Sequence, residues 1–160
     1  MKTYRTFYLE NKDKLFGYLI RLTGNYQFAV DAMQESFTRL LSRYGSKEQS
    51  TSLLFKIARN IVTDDARKNK QHQDATGSHQ DDARNPENML LIRESYRNVL
   101  IAMKQLDEME RDILSMAVSS ELSYREIADI VGISPANVRV KIHRARIKLK
   151  TYLARGDDGG

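Results

Sequence analysis

The stretch SYREIADIVGISPANVRVKIHRARIKLK, residues 123–150, decides how the C-terminal half of this chain folds. Ser123 and Glu126 predict a capping box, in which each side chain accepts a hydrogen bond from the other residue's backbone amide. Gly132 falls where a left-handed residue commonly ends a helix, and Ser134 before a proline is typical of the start of the next helix. The pattern therefore predicts two helices joined by a tight turn, which is a helix-turn-helix.

The second helix of this pair carries an apolar stripe on one side and cations elsewhere. The stripe residues recur at spacings of four, three and four, and they are Val138, Ile142, Ala145 and Leu149. From Arg139 to Arg155 the chain has seven cations and no Asp or Glu. Such a helix fits the DNA major groove, where cations neutralise phosphates and release counterions. A solvated basic face is the plainer alternative, but it does not explain the caps and the glycine turn beside it.

Composition limits the classes of protein to which the chain can belong. Its 160 residues carry a formal net charge of +5, which agrees with an anionic partner such as nucleic acid. It has no cysteine, which excludes disulfides and thiolate metal sites and agrees with a reducing compartment. The first residues lack the apolar core of a signal peptide, and no apolar run approaches the roughly 20 residues of a membrane helix. We therefore expect a cytoplasmic protein with no membrane insertion.

Apolar spacings of three and four dominate the rest of the chain, in which glycine and proline are scarce. We predict an all-α fold of two small helical domains joined by a flexible linker, with the helix-turn-helix in the C-terminal domain. The first domain spans residues 1–70, and its helices are expected at about 4–22, 28–44 and 52–68. Leu41 and Tyr44 are assigned to the buried stripe of the second of these helices.

The second domain is separated from the first by a polar segment. The run NKQHQDATGSHQDDARNPE has no large apolar residue and cannot bury enough surface to offset its ordering entropy, so residues 71–87 are predicted to be the flexible linker. The second domain then spans residues 88–155 and begins with a helix near Asn88. Residues 156–160 are predicted to be a disordered tail.

Three segments carry a family resemblance. The second helix, DAMQESFTRLL, resembles the helix with which sigma factors bind the clamp of the RNA polymerase β′ subunit. The third, LLFKIARNIVTDDARKNK, resembles the helix that reads the −10 promoter element. Residues 122–150 look like the domain that reads the −35 element, including Arg144-Ala145-Arg146. In this order, with a linker between them, the segments are similar to extracytoplasmic-function (ECF) RNA polymerase sigma factors of the sigma-70 family.

The resemblance implies an alternative sigma factor that binds core RNA polymerase, through its β′ clamp and β flap, and directs initiation at promoters with −10 and −35 elements. The polymerase-binding residues that it implies are Asp31, Gln34 and Glu35. For the −10 element it implies Arg59, Asn60, Arg67 and Lys68. For the −35 element it implies Arg139, Val140, Lys141, His143, Arg144 and Lys148.

Three further expectations follow from the same resemblance. An anti-sigma factor that covers both domains is an expected partner. Tyr44 and Phe55 are candidate aromatic platforms for single-stranded bases, although aromatic residues at these spacings more often belong to a core. The family commonly has tryptophan just before the Leu-Phe pair, and this chain has Leu53 there, beside the segment that handles the melted strand.

No enzymatic activity, catalytic residue, metal site or cofactor is predicted. Asp64 and Asp65 are the carboxylates that a hydrolase would use, but neighbouring residues of a helix point roughly 100° apart and make a poor catalytic pair. His72 and His79 lie in the predicted linker without a rigid partner for a metal ion. The sequence therefore favours a function by binding alone.

Two other kinds of binding protein remain as alternatives. A helix-turn-helix transcription regulator would act without stable association with core polymerase, and it would dimerise on palindromic duplex DNA. A protein-interaction module would use the basic helix to bind an acidic partner and would show no preference for a DNA sequence. The helix with Asp31, Gln34 and Glu35 counts against the regulator.

Overall fold

A computed structural model of the protein describes residues 3–45, 49–76 and 93–158. Within these ranges the chain forms helices and no strand, so the predicted all-α class is confirmed. The helices are α1 (Tyr4–Thr23), α2 (Tyr26–Tyr44), α3 (Thr51–Thr76), α4 (Glu94–Lys104), α5 (Glu108–Ser119), α6 (Tyr124–Val131) and α7 (Pro135–Asp158). We call α1–α3 the N-terminal unit and α4–α7 the C-terminal unit.

Local caps set the helix boundaries in the N-terminal unit. Gly24 ends α1 in a left-handed conformation with φ of 69°, and its N–H donates to the carbonyl of Ile20 at 2.8 Å. The side chain of Asn25 then accepts a hydrogen bond from the Phe28 N–H at 2.9 Å and caps α2. A glycine tolerates that backbone conformation and an asparagine satisfies a free helix amide, so α1 stops and α2 restarts at once.

The core of the N-terminal unit is apolar, but two residues predicted to belong to it lie outside it on α2. Phe37 is buried and meets the rings of Tyr4, Phe7 and Tyr8 edge-on. The assignment of Leu41 and Tyr44 to the core was wrong, because they are 41% and 43% exposed. Leu41 lies roughly 100° further round α2 than the buried residue before it, and Tyr44 occupies the last turn, beyond the buried part of the helix.

Two helices continue past the residues at which the linker and the tail were expected to begin. The linker was expected from residue 71, but α3 extends to Thr76. The disordered tail was expected from residue 156, but α7 extends to Asp158. Extending an existing helix adds one hydrogen bond for each residue fixed and needs no buried face, so a polar sequence can prolong it. The remainder of the predicted linker and the helix start near Asn88 lie outside the described residues.

The two units pack directly against each other. Helix α1 contacts both α4 and α5, and α3 contacts α6. Buried residues of the two units belong to one hydrophobic cluster, in which Leu15, Leu19 and Phe55 join Ile113, Leu114 and Met116. The arrangement of the two domains could not be predicted from the sequence. In this arrangement the predicted DNA-binding helix α3 lies against the helix-turn-helix of the other unit, through its contact with α6.

Candidate nucleic-acid interface

The helix-turn-helix has the geometry that its sequence predicts. Ser123 and Glu126 form the capping box, with amide-to-side-chain distances of 3.0 and 3.1 Å. Gly132 has φ of 81°, and its N–H and that of Ile133 both donate to the carbonyl of Ala128. The Ser134 hydroxyl accepts from the Asn137 N–H at 3.2 Å and caps α7. These bonds fix the angle at which α7 leaves α6.

Helix α7 presents most of the predicted −35 residues on its exposed side. Its inner face buries Val138, Ile142 and Ala145 against the rest of the C-terminal unit. Five of the predicted residues are exposed, and these are Arg139, Val140, His143, Arg144 and Lys148. Lys141 is only partly exposed. An exposed Val140 beside cations gives this face both apolar and charged groups, as base-edge recognition requires.

Two cations of α7 have partners in the C-terminal unit. Lys148 donates to Glu110 at 2.8 Å, and the glutamate is buried at the start of α5. This hydrogen bond raises the pKa of the Lys148 ammonium. The guanidinium of Arg139 lies 6.0 Å from the ring centre of Tyr124, within reach of a cation–π interaction. Lys148 therefore stays exposed, with 49% of its side chain accessible, but its ammonium is bonded to Glu110 of α5.

Helix α3 divides the predicted −10 residues into two groups. Asn60, Arg67 and Lys68 are exposed. The guanidinium of Arg59 instead donates through Nε to the carboxylate of Asp112 on α5, at 2.7 Å. Arg59 was predicted to contact the −10 element together with the other three, but it is only partly exposed and does not share their surface.

Tyr18 and Asp112 are buried polar residues that the sequence analysis missed. The Tyr18 hydroxyl donates to the second oxygen of Asp112 at 2.7 Å. Burial, together with the neighbouring carboxylate charge, raises the pKa of Tyr18 well above its usual value, so the hydroxyl keeps its proton and donates. Phe55, a proposed platform for single-stranded bases, is also fully buried, 5.3 Å from the Tyr18 ring, so that assignment was wrong for this arrangement.

The predicted polymerase-binding residues lie together on the exposed side of α2. Asp31 accepts a hydrogen bond from Gln27 at 3.0 Å, and Glu35 accepts one from Arg39 at 2.8 Å. Both bonds join residues four apart on one helix, so the side chains stay at the surface. Gln34 also lines an open groove of about 520 Å³ between α1 and α2. The other lining residues are Tyr4, Arg5, Tyr8, Phe37 and Thr38.

The described residues offer neither a metal-binding cluster nor a membrane-spanning helix. No group of three or more His, Cys, Asp or Glu side chains within them is arranged to hold a metal ion. No helix in the described ranges combines the length and the hydropathy that crossing a membrane requires.

Comparisons with known proteins match both units. The model of Sigma-70 region 2 matches residues 7–72, and that of Sigma-70, region 4 matches residues 96–149. The ECF RNA polymerase sigma factor SigM of Bacillus subtilis is 31% identical over 149 residues, which cover 89% of this chain and 90% of that protein. The factor EcfG of Rhodopseudomonas palustris is 29% identical, over 87% of this chain and 78% of its own length.

A solved structure supports the fold. The sigma factor RpoE of Bartonella quintana, crystallised with the anti-sigma factor NepR, matches with a TM-score of 0.77 over 92% of this chain and 94% of that one, at 23% identity. Together with the two Sigma-70 matches, the helical units and the exposed cationic helix define a DNA-binding protein of the transcription machinery. The chain belongs to the ECF RNA polymerase sigma factors of the sigma-70 family. It is an alternative sigma factor that binds core RNA polymerase and directs transcription initiation, and it belongs to a family that is generally not enzymatic.

Proposed function

We propose that the two units divide promoter recognition, with α3 contacting the −10 element and α7 reading the −35 element in the major groove. The observation that carries this proposal is the exposed face of α7. Two helix caps and a glycine turn fix the start of this helix relative to α6. Residues 135–155 of α7 include cations and no Asp or Glu. A helix held this rigidly can keep side chains in register with base edges.

On α7, specificity belongs to the exposed side chains at the middle of the face. An arginine that forms two hydrogen bonds with guanine discriminates against the wrong base by about 1–3 kcal/mol, and Arg144 is placed for this role. Val140 offers an apolar surface to a thymine methyl group. Lys141 and Lys148 bind phosphates and set the position of the helix, which carries no sequence information. For Lys148 this requires exchange of its bond with Glu110 for a phosphate.

On α3, the exposed residues Asn60, Arg67 and Lys68 contact the −10 element. The amide of Asn60 offers a donor and an acceptor to a base edge, and the two cations bind phosphates. Arg59 joins them once its bond with Asp112 is released. On α2, Asp31, Gln34 and Glu35 bind the β′ clamp, and the C-terminal unit binds the β flap.

An anti-sigma factor that covers both units is part of the proposal. The matched RpoE structure contains an anti-sigma protein, which supports such a partner for a chain of the same fold. We also propose that the protein acts in the cytoplasm and has no catalytic activity of its own. Family membership removes the main support for a regulator that acts without core polymerase.

The test is reconstitution with core RNA polymerase that lacks other sigma factors. The protein should co-elute with core polymerase, and the complex should start transcription at discrete new sites in a library of genomic fragments. Aligned start sites should share one sequence near −10 and another near −35. If the protein co-eluted but the starts shared only the −10 sequence, the role of α7 would be wrong. Duplex binding by the chain alone, without co-elution, would contradict the whole proposal.

A further inference from the structure

The Asp112 carboxylate joins the two units at a buried point. One of its oxygens accepts from the Tyr18 hydroxyl on α1, and the other accepts from Arg59 on α3, each at 2.7 Å. Asp112 itself belongs to α5 of the C-terminal unit and is 7% exposed, while Tyr18 is fully buried. Among the described residues, the hydrogen-bond partners of this carboxylate are these two side chains of the N-terminal unit.

Burial of this acid where the two units meet is costly unless hydrogen-bond donors replace the water that it loses. A buried carboxylate needs hydrogen-bonding partners of opposite or complementary charge, because desolvation penalises an unpaired ion. Asp112 receives one cationic and one neutral donor, and both lie on the other unit. Separation of the units therefore removes both donors at once and returns the carboxylate to water. The bond thus links the ionic state of one residue to the arrangement of two domains.

Other contacts strengthen the same junction. Arg21 of α1 donates to the backbone carbonyl of Ser115 at 3.0 Å and to the Tyr96 hydroxyl at 3.2 Å, both in the C-terminal unit. Lys14 of α1 pairs with Glu121 at 3.0 Å, but this glutamate is 86% exposed. An exposed ion pair of this kind contributes little, since water screens it. The buried bonds, and not this exposed ion pair, hold the polar part of the junction.

The closed arrangement conflicts with simultaneous contact of both promoter elements. Elements centred near −35 and −10 lie roughly 25 base pairs apart, which is about 85 Å along a duplex that rises 3.4 Å per pair. A compact chain of this length has a radius of gyration of about 15 Å. Units in direct contact, as α3 and α6 are, cannot span that distance. In addition, the Arg59 group that bonds Asp112 is withheld from DNA.

We propose that Asp112, with Tyr18 and Arg59, forms a latch that holds the free sigma factor closed, and that the latch opens when core polymerase separates the two units. The closed form withholds Arg59 from the −10 element and keeps the two DNA-binding helices too near each other for one promoter. This inference rests on the proposed division of promoter recognition between α3 and α7. It assigns a regulatory role to a residue outside the sets that we propose to contact DNA and polymerase.

The first test measures the distance between the units in the free full-length chain. Because the sequence has no cysteine, labels can be placed at two exposed positions by Asp13→Cys on α1 and Asp129→Cys on α6. Asp112→Asn keeps the size of the side chain but removes the charge that attracts Arg59. It should raise the population of long label distances at least tenfold. Glu121→Gln, which breaks the exposed ion pair between the same units, is the matched control and should leave the distribution unchanged.

The second test measures function. The probe is a duplex that the wild-type holoenzyme has identified as a promoter. The free Asp112→Asn chain should bind this duplex about tenfold more tightly than the free wild-type chain. Once core polymerase is present, the variant should start transcription at the same sites as the wild type. Tyr18→Phe removes one of the two hydrogen bonds of Asp112, so it should shift the label distances and the DNA affinity in the same direction by a smaller factor. This variant replaces Asp112→Asn in both tests if Asp112→Asn does not fold. Unchanged distances and affinity in folded variants would overturn the latch, while a wild-type holoenzyme that finds no promoter would overturn the proposed function instead.

Discussion

The two helices assigned to DNA differ in what surrounds their cations. Helix α7 keeps Arg139, His143 and Arg144 exposed, and the buried acid near it, Glu110, binds Lys148 at the far end of the face. Helix α3 gives up one of its cations, Arg59, to a buried acid of the other unit. The comparison teaches that a basic residue in a DNA-binding pattern is available to DNA only if no acidic residue packed against it in the fold binds it first.

The same difference determines which of the two helices can contact DNA in the closed arrangement. The face of α7 is complete within one unit, because α5 and α6 support it and its caps are local. The face of α3 is complete only when the other unit moves away from it, since Asp112 belongs to α5. Four substitutions test this contrast, and they follow in order from the largest expected effect to the smallest.

The largest effect is expected where α7 is anchored. Ile142 is 2% exposed, and Ile142→Ala should lower the free energy of unfolding by about 2–5 kcal/mol, the usual cost of such a truncation. Because the two units share a core, urea unfolding followed by circular dichroism should still show a single transition. Leu54→Ala in α3 is the matched change on the other side and should behave alike. Separate transitions for the two units would contradict the shared core.

A smaller effect is expected on the reading face itself. Arg144→Ala should weaken use of the recovered promoter by about 1–3 kcal/mol in transcription assays, because one contact with a base is lost. Binding of non-specific duplex should fall much less. Lys150→Ala, an exposed cation further along α7, is the control and should lower both kinds of binding slightly and equally. An equal loss of both in Arg144→Ala would reduce this arginine to a phosphate contact.

The contrast extends to α2, which is assigned to polymerase and not to DNA. Glu35→Ala should weaken association with core polymerase by about 1 kcal/mol or more, as for residues that matter at an interface, and should leave DNA binding by the free chain unchanged. Size-exclusion titration with core polymerase measures the first, and fluorescence anisotropy measures the second. Arg39→Ala removes the hydrogen-bond partner of Glu35 on the same helix but keeps the Glu35 carboxylate. Comparing the two variants therefore separates the loss of the Glu35 charge from the loss of its positioning by Arg39. Unchanged affinity for polymerase would exclude Glu35 from the interface.

The sequence predicted best what is decided locally. Ser123, Gly132 and Ser134 act on backbone groups within a few residues, so the turn that they predict is present in the structure. The apolar stripe of α7 was equally readable, because a period of three and four depends on one helix. The ends of α3 and α7 were misjudged because polar residues prolong a helix without leaving an apolar pattern.

The junction between the units could not be predicted in the same way. Asp112 directly precedes the buried Ile113 and Leu114, and an acid at the edge of this apolar pair was the signal available. That signal says that the acid needs a partner, but it does not say that the partner is Arg59, 53 residues away. Only the packing of α1 and α3 against the C-terminal unit determines that pairing, and with it which of the −10 residues are exposed.

The smallest effect tests how the support of α7 depends on pH. Asp107 caps α5, and its pKa is lowered chiefly because its carboxylate accepts from the Glu110 N–H at 2.7 Å. A lowered pKa means that this stabilisation is present above the ordinary value of 3.8 and is lost as the pH falls through the lower value of the folded protein. Asp107→Ala should therefore cost about 1 kcal/mol in urea unfolding at pH 7 and much less in acid. Asp107→Asn keeps a capping oxygen that does not titrate. Its free energy of unfolding should therefore equal that of the wild type at pH 7 and exceed it in acid. A difference between Asp107→Ala and the wild type that persisted unchanged at low pH would mean that the ionised carboxylate is not the source of the cap's stability.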